Sequence, residues 1–496
     1  MDFFILKDDS PYKTKNPTIF LVPDNWNDWF EFRTLFGMYY ATSENVIWIG
    51  SVKIGQIGLQ PNSGNYVSPD LPIETFANLS KDFFSIGQDV SYYTNLNNLG
   101  EDLRLEILHG LNDIALNDEL YKDVKHEYVM ARSLLRDVSR VSVIGQYRRL
   151  ANGNAKLSEY YFEYEVPDNK LNSTLTIHVV PNQMPPMNIH VLIGRNGVGK
   201  TNLIRNLVNY GLTEDLSYGN IYTDIEEEIF AGILLVSFSA FENENVYSVK
   251  NITGLKFDRM GLVKNEADKY LPKTFEDLVN EFQLSLLGIK SSGKSSRWKK
   301  TIEMLNSDPI FNSIGIEKLI EDHSIDKAKL VFEKLSSGHK IVLITITQLV
   351  EKVEERTLVI LDEPELHLHP PLLSAFTRAL SELLITRNAV ALIATHSPVI
   401  VQEVPSECVK IMNRNNNYVD FELPNIETFG ENIGTLTREI FGLEVRESGF
   451  HKVLTELVNE GHSYDEILES LDGKIGLEAK TLIRSMIFSK GGDRDA

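Results

Sequence analysis

The feature that most constrains the fold is a glycine-rich loop between a predicted strand and a predicted helix. Residues 194–201 read GRNGVGKT, after the apolar run NIHVLI and before TNLIRNLVNYG. Glycines in such a loop adopt backbone angles that other residues resist, so successive N–H groups turn inward and can hold phosphate oxygens. The positive end of the following helix adds to this attraction. Because strand and helix are both in place, the pattern predicts a site for ATP and Mg²⁺.

The positions of this phosphate loop have separate predicted roles. Lys200 reaches the β- and γ-phosphates, and the Thr201 hydroxyl is a ligand of Mg²⁺. A dinucleotide-binding fold is disfavoured because no GxGxxG pattern is centred here. The predicted nucleotide-binding residues of the loop are Gly194, Arg195, Asn196, Gly197, Val198, Gly199, Lys200, Thr201 and Asn202.

A second apolar strand ends in two acids. In TLVILDEPELHLHPP, the run LVIL leads into Asp362 and Glu363. We expect Asp362 to hold the metal, directly or through water, and Glu363 to polarise the attacking water. The polar residues that follow have spacing seen in metal sites, but no third ligand can be placed, so a turn and a helix starting at the double proline are favoured. These residues are Glu365, His367 and His369.

Two further polar segments lie at the ends of predicted elements. KLSSGHK begins a helix in which Ser336 or Ser337 can cap the N-terminus and Gly338 allows close backbone approach. Such a helix end is a second anion site. IATHSPVIV places His396 just after an apolar strand, where it can donate to a γ-phosphate or position a water.

Strands and helices alternate through the part of the chain that carries these motifs. The alternation predicts an α/β fold with a parallel or mixed sheet and helices on both faces. YYFEYEV and TLTIHVV add an antiparallel β subdomain. The predicted divisions are 1–155, a mixed strand and helical region; 156–241, the lobe with the phosphate loop; 242–335, a mostly helical insertion; 336–425, the serine-capped helix, acidic strand and His396; and 426–496, a helical C-terminal region.

Composition fits a folded protein in a reducing compartment. The chain has 496 residues, of which 42% are hydrophobic and 1 is cysteine, so no disulfide framework forms within it. The start, MDFFILKDDSPYK, is unlike a signal peptide, and the longest apolar runs are shorter than a membrane span. We therefore expect a cytoplasmic protein. The formal charge of −21 argues against a general nucleic-acid coat, although KSSGKSSRWKK at 290–300 is locally basic.

The order GRNGVGKT, LSSGHK, LVILDEPELHLHP and IATHSP resembles the ABC/SMC-like ATPase superfamily. More narrowly, VSFSAFEN, LSSGHKIVLITITQLV and TFGENIGTLTREIFGLE resemble the PtuA ATPases of Septu anti-phage systems, including the retron-associated ones. The resemblance implies an ABC-type head that hydrolyses ATP slowly. It also implies that Ser336, Ser337 and Gly338 of one copy complete the ATP site of another copy.

The same resemblance implies partners. Such ATPases form head-to-head homodimers and higher assemblies and act with a separately encoded HNH nuclease, PtuB. Some systems add a retron reverse transcriptase and its RNA–DNA product. The nucleotide state of the ATPase restrains the nuclease. Because this sequence shows no HNH or Toprim motif, we expect no nuclease site of its own.

The sequence departs from the superfamily pattern at the strand GILLVSF, which usually ends in a magnesium-sensing glutamine. The available polar residues here are Ser239, Glu242 and Asn243. An aromatic side chain that stacks on adenine is expected upstream of the phosphate loop, although the candidates also suit the interior of a strand. These candidates are Tyr160, Tyr161 and Tyr164.

Two other functions stay open at this point. A DNA-repair ATPase of the RecF kind would contact DNA through the basic segment, residues 290–300, with Trp298 and its neighbouring cations. The acidic composition of the whole chain favours a solvated loop there instead. A transport motor is disfavoured because no membrane segment is present in the sequence and the long terminal regions are unlike a bare motor.

Overall fold

The computed structural model describes residues 1–6, 10–24, 31–62, 66–72, 75–153, 159–167, 174–223, 230–238, 251, 253, 255–266, 269–292, 294–320, 326–415, 418–447 and 449–492. Its strands are β1 (Asp2–Ile5), β2 (Thr18–Pro23), β3 (Leu35–Ala41), β4 (Val46–Gln56), β5 (Thr75–Phe76), β6 (Phe83–Gly87), β7 (Tyr160–Glu165), β8 (Thr174–Val179), β9 (Ile189–Ile193), β10 (Asn220–Thr223), β11 (Gly232–Ser237), β12 (Lys256–Gly261), β13 (Val263–Glu266), β14 (Lys269–Pro272), β15 (Thr357–Asp362), β16 (Val390–Thr395), β17 (Val409–Asn415) and β18 (Tyr418–Glu422). Its α-helices are α1 (Val90–Asn98), α2 (Glu101–Gly110), α3 (Asp118–Val124), α4 (Arg140–Ser142), α5 (Arg148–Ala151), α6 (Lys200–Thr213), α7 (Phe275–Ser291), α8 (Ser295–Leu305), α9 (Pro309–Ile314), α10 (Asp326–Lys334), α11 (Ser337–Lys352), α12 (Pro370–Arg387), α13 (Pro398–Val401), α14 (Ile433–Glu447), α15 (Gly449–Asn459), α16 (Tyr464–Ser470) and α17 (Leu477–Gly492).

The first part of the chain builds a sheet of its own. Among its described residues, six strands pair in the order β5-β1-β2-β3-β4-β6. β1 and β2 are parallel, and the other neighbours are antiparallel. The sheet and the helices after it share one buried cluster that includes Phe3, Phe84, Tyr92 and Leu108. We call residues 1–153 the N-terminal unit because their core is separate from the rest.

A larger sheet forms the centre of the molecule. Its described strands number seven, in the order β12-β11-β15-β16-β9-β17-β18. All neighbours are parallel except β17 and β18. Non-consecutive strands are adjacent, as expected when helices connect parallel strands. A separate antiparallel sheet, β10-β7-β8, lies beside it.

Both faces of the central sheet are buried, and this explains its unbroken apolar strands. Val191 and Val359 point into a core shared with α7, α8, α11 and α12. Leu192 and Ile360 point the other way, into a core shared with α6 and the antiparallel sheet. The predicted α/β architecture, with helices on both faces and an antiparallel β subdomain, is therefore confirmed.

The insertion predicted as mostly helical, 242–335, also contains strands. β12 extends the central sheet at its edge, and β13 and β14 form a hairpin. β12 (KFDRMG) is partly exposed along most of its length, so the sequence shows neither a continuous apolar run nor clean alternation there. β17 and β18 were not predicted either; β18, at the other edge of the sheet, is exposed or half-exposed along its length.

The C-terminal helices form a small cluster apart from the main cores. Leu454 and Val458 of α15 pack with Ile467 of α16 and Ile483 of α17. In the part of the chain that the structure describes, no helix combines the length and apolar character needed to cross a bilayer.

A buried group of charges joins the N-terminal unit to the central-sheet unit. Asp89 caps the N-terminus of α1 by accepting from the Ser91 N–H at 3.0 Å. The other carboxylate oxygen of Asp89 lies 3.7 Å from Nη1 of Arg387, the last residue of α12, and 3.9 Å from Nη1 of Arg297. A negative group at a helix start thus faces a positive group at a helix end, which suits both helix dipoles.

The basic segment contributes to this interior instead of to a nucleic-acid surface. Trp298 is fully buried, and its Nε1 donates to Oγ1 of Thr347 at 3.0 Å. Lys294 Nζ donates to the Glu351 carbonyl at 2.6 Å, and Arg297 Nη2 donates to the Val350 carbonyl at 2.6 Å. Both cations therefore bond the last carbonyls of α11. The structure matches neither the solvated loop favoured for residues 290–300 nor the alternative DNA contact through Trp298, because sequence alone does not show which side chains are buried.

Candidate active site

The predicted catalytic segments meet at one edge of the central sheet. β16 lies between β9 and β15, with Thr395 paired to Ile193 and Asp362 paired to Ala394. Because the three strands are parallel, their carboxyl ends lie side by side. The phosphate loop after β9, the acids at the end of β15 and the residue after β16 therefore converge, as ligand sites do in open α/β sheets.

The phosphate loop has the backbone that anion binding requires. Gly197 and Gly199 have φ of +76° and +110°, and a Cβ on Gly194 would lie 2.4 Å from the Met412 carbonyl oxygen. Gly199 precedes α6 without any side-chain cap, so the first N–H groups of this 14-residue helix face the loop. Arg195, Asn196 and Asn202 are exposed around it, and Val198 is buried. The loop residues fit a triphosphate.

Lys200 is the buried cation of the site. Its side chain is enclosed, and its Nζ donates to the Gly194 carbonyl at 3.0 Å and lies 2.7 Å from Nε2 of His396. Burial lowers the pKa of Lys200, and the negative charges of Glu363 and Asp362 oppose that shift. A partly desolvated ammonium in this position interacts more strongly with phosphate than one in water.

Thr201 and Asp362 form the predicted metal-binding pair. The Thr201 hydroxyl donates to Oδ2 of Asp362 at 2.9 Å, although 161 positions separate the two residues. A hydroxyl and a carboxylate oxygen side by side are the hard ligands that Mg²⁺ prefers. These two residues fit the ion, which would supply charge for the phosphates when bound.

Glu363 and His396 come together beside Lys200. Oε1 of Glu363 lies 3.2 Å from Nε2 of His396. Glu363 is held in a left-handed conformation, with φ of 51° and ψ of 56°, which is unusual for a non-glycine residue and typical of functional sites. Burial lowers the pKa of His396, and the charge of Lys200 lowers it further. The imidazole is therefore neutral near pH 7 and can both donate and accept.

Glu365 bonds to the backbone of His396, the histidine that the sequence predicts to be catalytic. Its Oε1 accepts from the His396 N–H at 2.6 Å and from the Thr395 hydroxyl at 2.8 Å. From the sequence, Glu365 was only a possible metal ligand, since nothing local links it to a residue 31 positions away. Nε2 of His367 instead donates to the Phe238 carbonyl, 3.0 Å away. Among the described residues no group of three or more candidate ligands surrounds a metal position.

The serine-capped helix start belongs to α11, which packs against the turn that follows Glu363. Ser336 is the N-cap of α11, and both Ser336 and Ser337 are exposed. A Cβ on Gly338 would lie 2.7 Å from the His367 carbonyl oxygen, so this glycine allows α11 to approach the turn that follows Glu363. The exposed end of α11 and the catalytic turn are therefore in direct contact within one chain.

The structure describes the three tyrosines that were candidates for stacking on adenine, but not the candidate magnesium sensors. Tyr160 and Tyr164 are buried in the core of the antiparallel sheet, so they are not available for adenine. Tyr161 is half-buried, with its ring edge-on to His178 at 5.9 Å between centroids. The possible magnesium sensors Ser239, Glu242 and Asn243 lie outside the described residues.

The fold and the site together define a P-loop ATPase of the ABC/SMC type. The defining features are the strand order, the phosphate loop, the acidic strand end and the serine-capped helix. The family described as "AAA domain, putative AbiEii toxin, Type IV TA system" matches residues 264–402. Protein ea59 of Escherichia phage lambda is 38% identical to this chain over 508 aligned positions, covering 95% of each protein. The chain belongs to the ea59 family.

Solved structures with a similar fold include ATP-binding cassettes and an SMC head. An ATP-binding cassette of an ABC transporter, in its ADP conformation, is 15% identical, with 58% of this chain and 98% of that chain covered at a TM-score of 0.32. The SMC head domain from Thermotoga maritima is 12% identical, with 54% of this chain and 100% of that chain covered at a TM-score of 0.28.

Proposed function

We propose that this protein binds and slowly hydrolyses ATP, with Mg²⁺, at a site shared between two copies of the chain. The observation that supports this most directly is that Lys200 and Glu363 meet at His396. Nε2 of His396 lies 2.7 Å from Nζ of Lys200 and 3.2 Å from Oε1 of Glu363. The pair Thr201 and Asp362 lies beside them. A buried cation, a strained carboxylate and a neutral imidazole at the mouth of a phosphate loop are the groups that ATP hydrolysis needs.

Each of these residues has a role in the proposed reaction. Lys200 and the N–H groups of the loop hold the phosphates and stabilise charge that develops on the γ-phosphate. Glu363 accepts a hydrogen bond from the attacking water and orients it. His396, fixed by Glu365, contacts both Glu363 and the γ-phosphate. Thr201 and Asp362 hold the metal ion.

The second copy is proposed because the helix start at Ser336 and Ser337 is an anion site that faces solvent. Ser336 and Ser337 are both exposed at the start of α11, and the helix dipole favours a negative ligand there. In a head-to-head dimer, the γ-phosphate held by one copy would meet this end of the other. ATP would then stabilise the dimer by binding both copies at once.

A mixing experiment tests the shared site. Lys200→Ala removes the main phosphate contact, whereas Ser337→Glu places a negative charge at the exposed helix start, where the partner's γ-phosphate would lie. We expect each variant alone to lose ATP hydrolysis. Equal mixing should restore about a quarter of the wild-type rate per chain, because half of the dimers are mixed and each contains one intact site.

The controls separate lost folding from lost catalysis. Acids are favourable in the first turn of a helix, so Ser337→Glu should fold with unchanged or slightly raised stability. Ser296→Glu, at an exposed position in the first turn of α8, is the matched substitution away from the site and should keep full activity. A mixture that stays inactive, together with chains that remain monomeric in saturating ATP by light scattering, would contradict the proposal.

We further propose that the ATPase is a cytoplasmic regulatory subunit whose nucleotide state controls an HNH nuclease of the PtuB kind, in some settings together with a retron reverse transcriptase and its RNA–DNA product. The support is the resemblance of three segments to PtuA ATPases of anti-phage systems. The alternative of direct action on DNA has lost its main support, since Trp298 and Lys294 are buried.

Co-purification tests this regulatory role. When the chain is expressed with its neighbouring genes, we expect an HNH protein to co-purify in constant stoichiometry. Its nuclease activity should differ between the wild type and Lys200→Ala, because the variant cannot hold ATP. Recovery of nucleic acid without any nuclease would favour the DNA-repair function instead.

A further inference from the structure

A buried carboxylate and a buried histidine support the exposed serine at the start of α11. Nδ1 of His339 lies 2.6 Å from Oγ of Ser336, and Nε2 of His339 lies 3.1 Å from Oδ1 of Asp308. His339 and Asp308 are 4% and 7% exposed, whereas Ser336 is open to solvent. The three side chains form a hydrogen-bonded relay from the interior to the start of α11. In the proposed function, this helix start completes the ATP site of a second copy.

The hydrogen-bond partners of Asp308 determine one end of this relay. Its Oδ1 accepts from the Ile310 N–H at 2.8 Å and the Phe311 N–H at 3.4 Å, because Asp308 is the N-cap of α9. Burial by itself would raise the pKa of Asp308, but these bonds and His339 lower it below its ordinary value. The carboxylate is therefore ionised and accepts only, so Nε2 of His339 carries a hydrogen.

The charge of His339 then determines the direction of the bond to Ser336. In the neutral imidazole, Nδ1 has a lone pair and accepts the Ser336 hydroxyl hydrogen, which is then directed inward. In the imidazolium, Nδ1 donates to Ser336 Oγ, and the hydroxyl hydrogen is free to point outward. A phosphate oxygen accepts only, so it can bond to Ser336 in the second arrangement but not in the first.

We propose that His339 is a positioning residue that releases the Ser336 hydroxyl toward the γ-phosphate held by a second copy, so that ATP-driven pairing takes up a proton at each shared site. The inference rests on the proposed shared site. It assigns to Asp308 the stabilisation of the imidazolium, which a carboxylate at 3.1 Å favours.

Other titratable groups lie around the start of α11. The His369 ring, before α12, is 6.1 Å from the His339 ring, and a charge there would oppose protonation. His367 is engaged with the Phe238 carbonyl. On α11 itself, the Lys340 ammonium lies over the Phe275 ring of α7, at 5.0 Å from its centroid. Among these groups Asp308 alone makes a direct contact with the His339 side chain in the described part of the chain.

The test measures ATP-driven dimerisation against pH in the Glu363→Gln chain, which keeps ATP intact. With His339 present, the association constant should fall as the pH rises, by up to tenfold per pH unit for each proton that pairing takes up. His339→Asn offers Ser336 an amide donor that does not titrate, so pairing should persist while this part of the slope disappears. Asp308→Asn keeps a good N-cap for α9 and should weaken pairing at a given pH, because the imidazolium loses its carboxylate partner.

The possible results distinguish the role of His339 from the shared ATP site. Pairing with a pH slope that is unchanged in His339→Asn would overturn the role of His339 and leave the shared site standing. A flat profile in the chain that retains His339 would do the same. Absence of pairing at any pH would overturn both. Thermal melting of each variant shows that it is folded, and a structural role alone would lower stability without removing the slope.

Discussion

Glu363→Gln is expected to lower the rate of ATP hydrolysis by about 10²- to 10⁴-fold, the range found for loss of a general base. The amide has the same shape but cannot take a proton from water. ATP binding should persist, because Lys200 and the phosphate loop are untouched. The variant should therefore accumulate as an ATP-bound dimer, which single-turnover kinetics and light scattering would measure together.

Two matched substitutions define the specificity of that result. Glu365→Gln should cause a much smaller loss, since the amide oxygen can still accept from the His396 N–H, which lies 2.6 Å from Oε1 in the wild type. Glu456→Gln on the exposed side of α15 should have no effect. If Glu363→Gln hydrolysed ATP at the wild-type rate, Glu363 could not have the proposed role.

Asp89→Asn is expected to destabilise the protein by about 3–5 kcal/mol, the usual cost of breaking a buried ion pair by removing one partner. Asn still caps α1, so the change removes the charge and leaves the helix start intact. Arg387, 2% exposed, and Arg297 would then be buried without their shared carboxylate. Urea unfolding of the two proteins would give the difference.

An exposed ion pair provides the comparison. Asp118 pairs with Lys122 at 2.7 Å and with Arg148 at 2.8 Å, but its side chain is 43% exposed. Asp118→Asn should therefore cost less than about 1 kcal/mol. If Asp89→Asn and Asp118→Asn lowered the free energy of unfolding equally, burial would not be the reason that the Asp89 ion pairs stabilise the protein.

The pH dependence of the Asp89 effect has a definite sign. Burial by itself would raise the pKa of Asp89, but the charges of Arg387 and Arg297 lower it from 3.8 to about 2. A carboxyl group with a lowered pKa in the folded state contributes stability above its unfolded pKa and loses it as the pH falls through the folded value. The difference between wild type and Asp89→Asn should therefore narrow between about pH 4 and pH 2.

The sequence predicted the central fold because the information there is local. The apolar runs of β9, β15 and β16 are buried on both faces, and the helices between them begin at recognisable residues such as Pro370. β12 was missed because a half-exposed edge strand has no distinctive pattern. The basic segment was misinterpreted because Lys294, Arg297 and Trp298 look like surface residues until their partners on α11 are known.

By itself, the sequence determined the chemistry of the phosphate loop and of the acidic strand end, since glycine backbone freedom and residue type act within a few positions. Only the tertiary structure decided which distant groups act on that chemistry. Glu365 orients His396, Asp308 and His339 support Ser336, and Asp89 joins two units through Arg387. These relations depend on distances between residues far apart in the chain, and such distances exist only after the sheets and helices have packed.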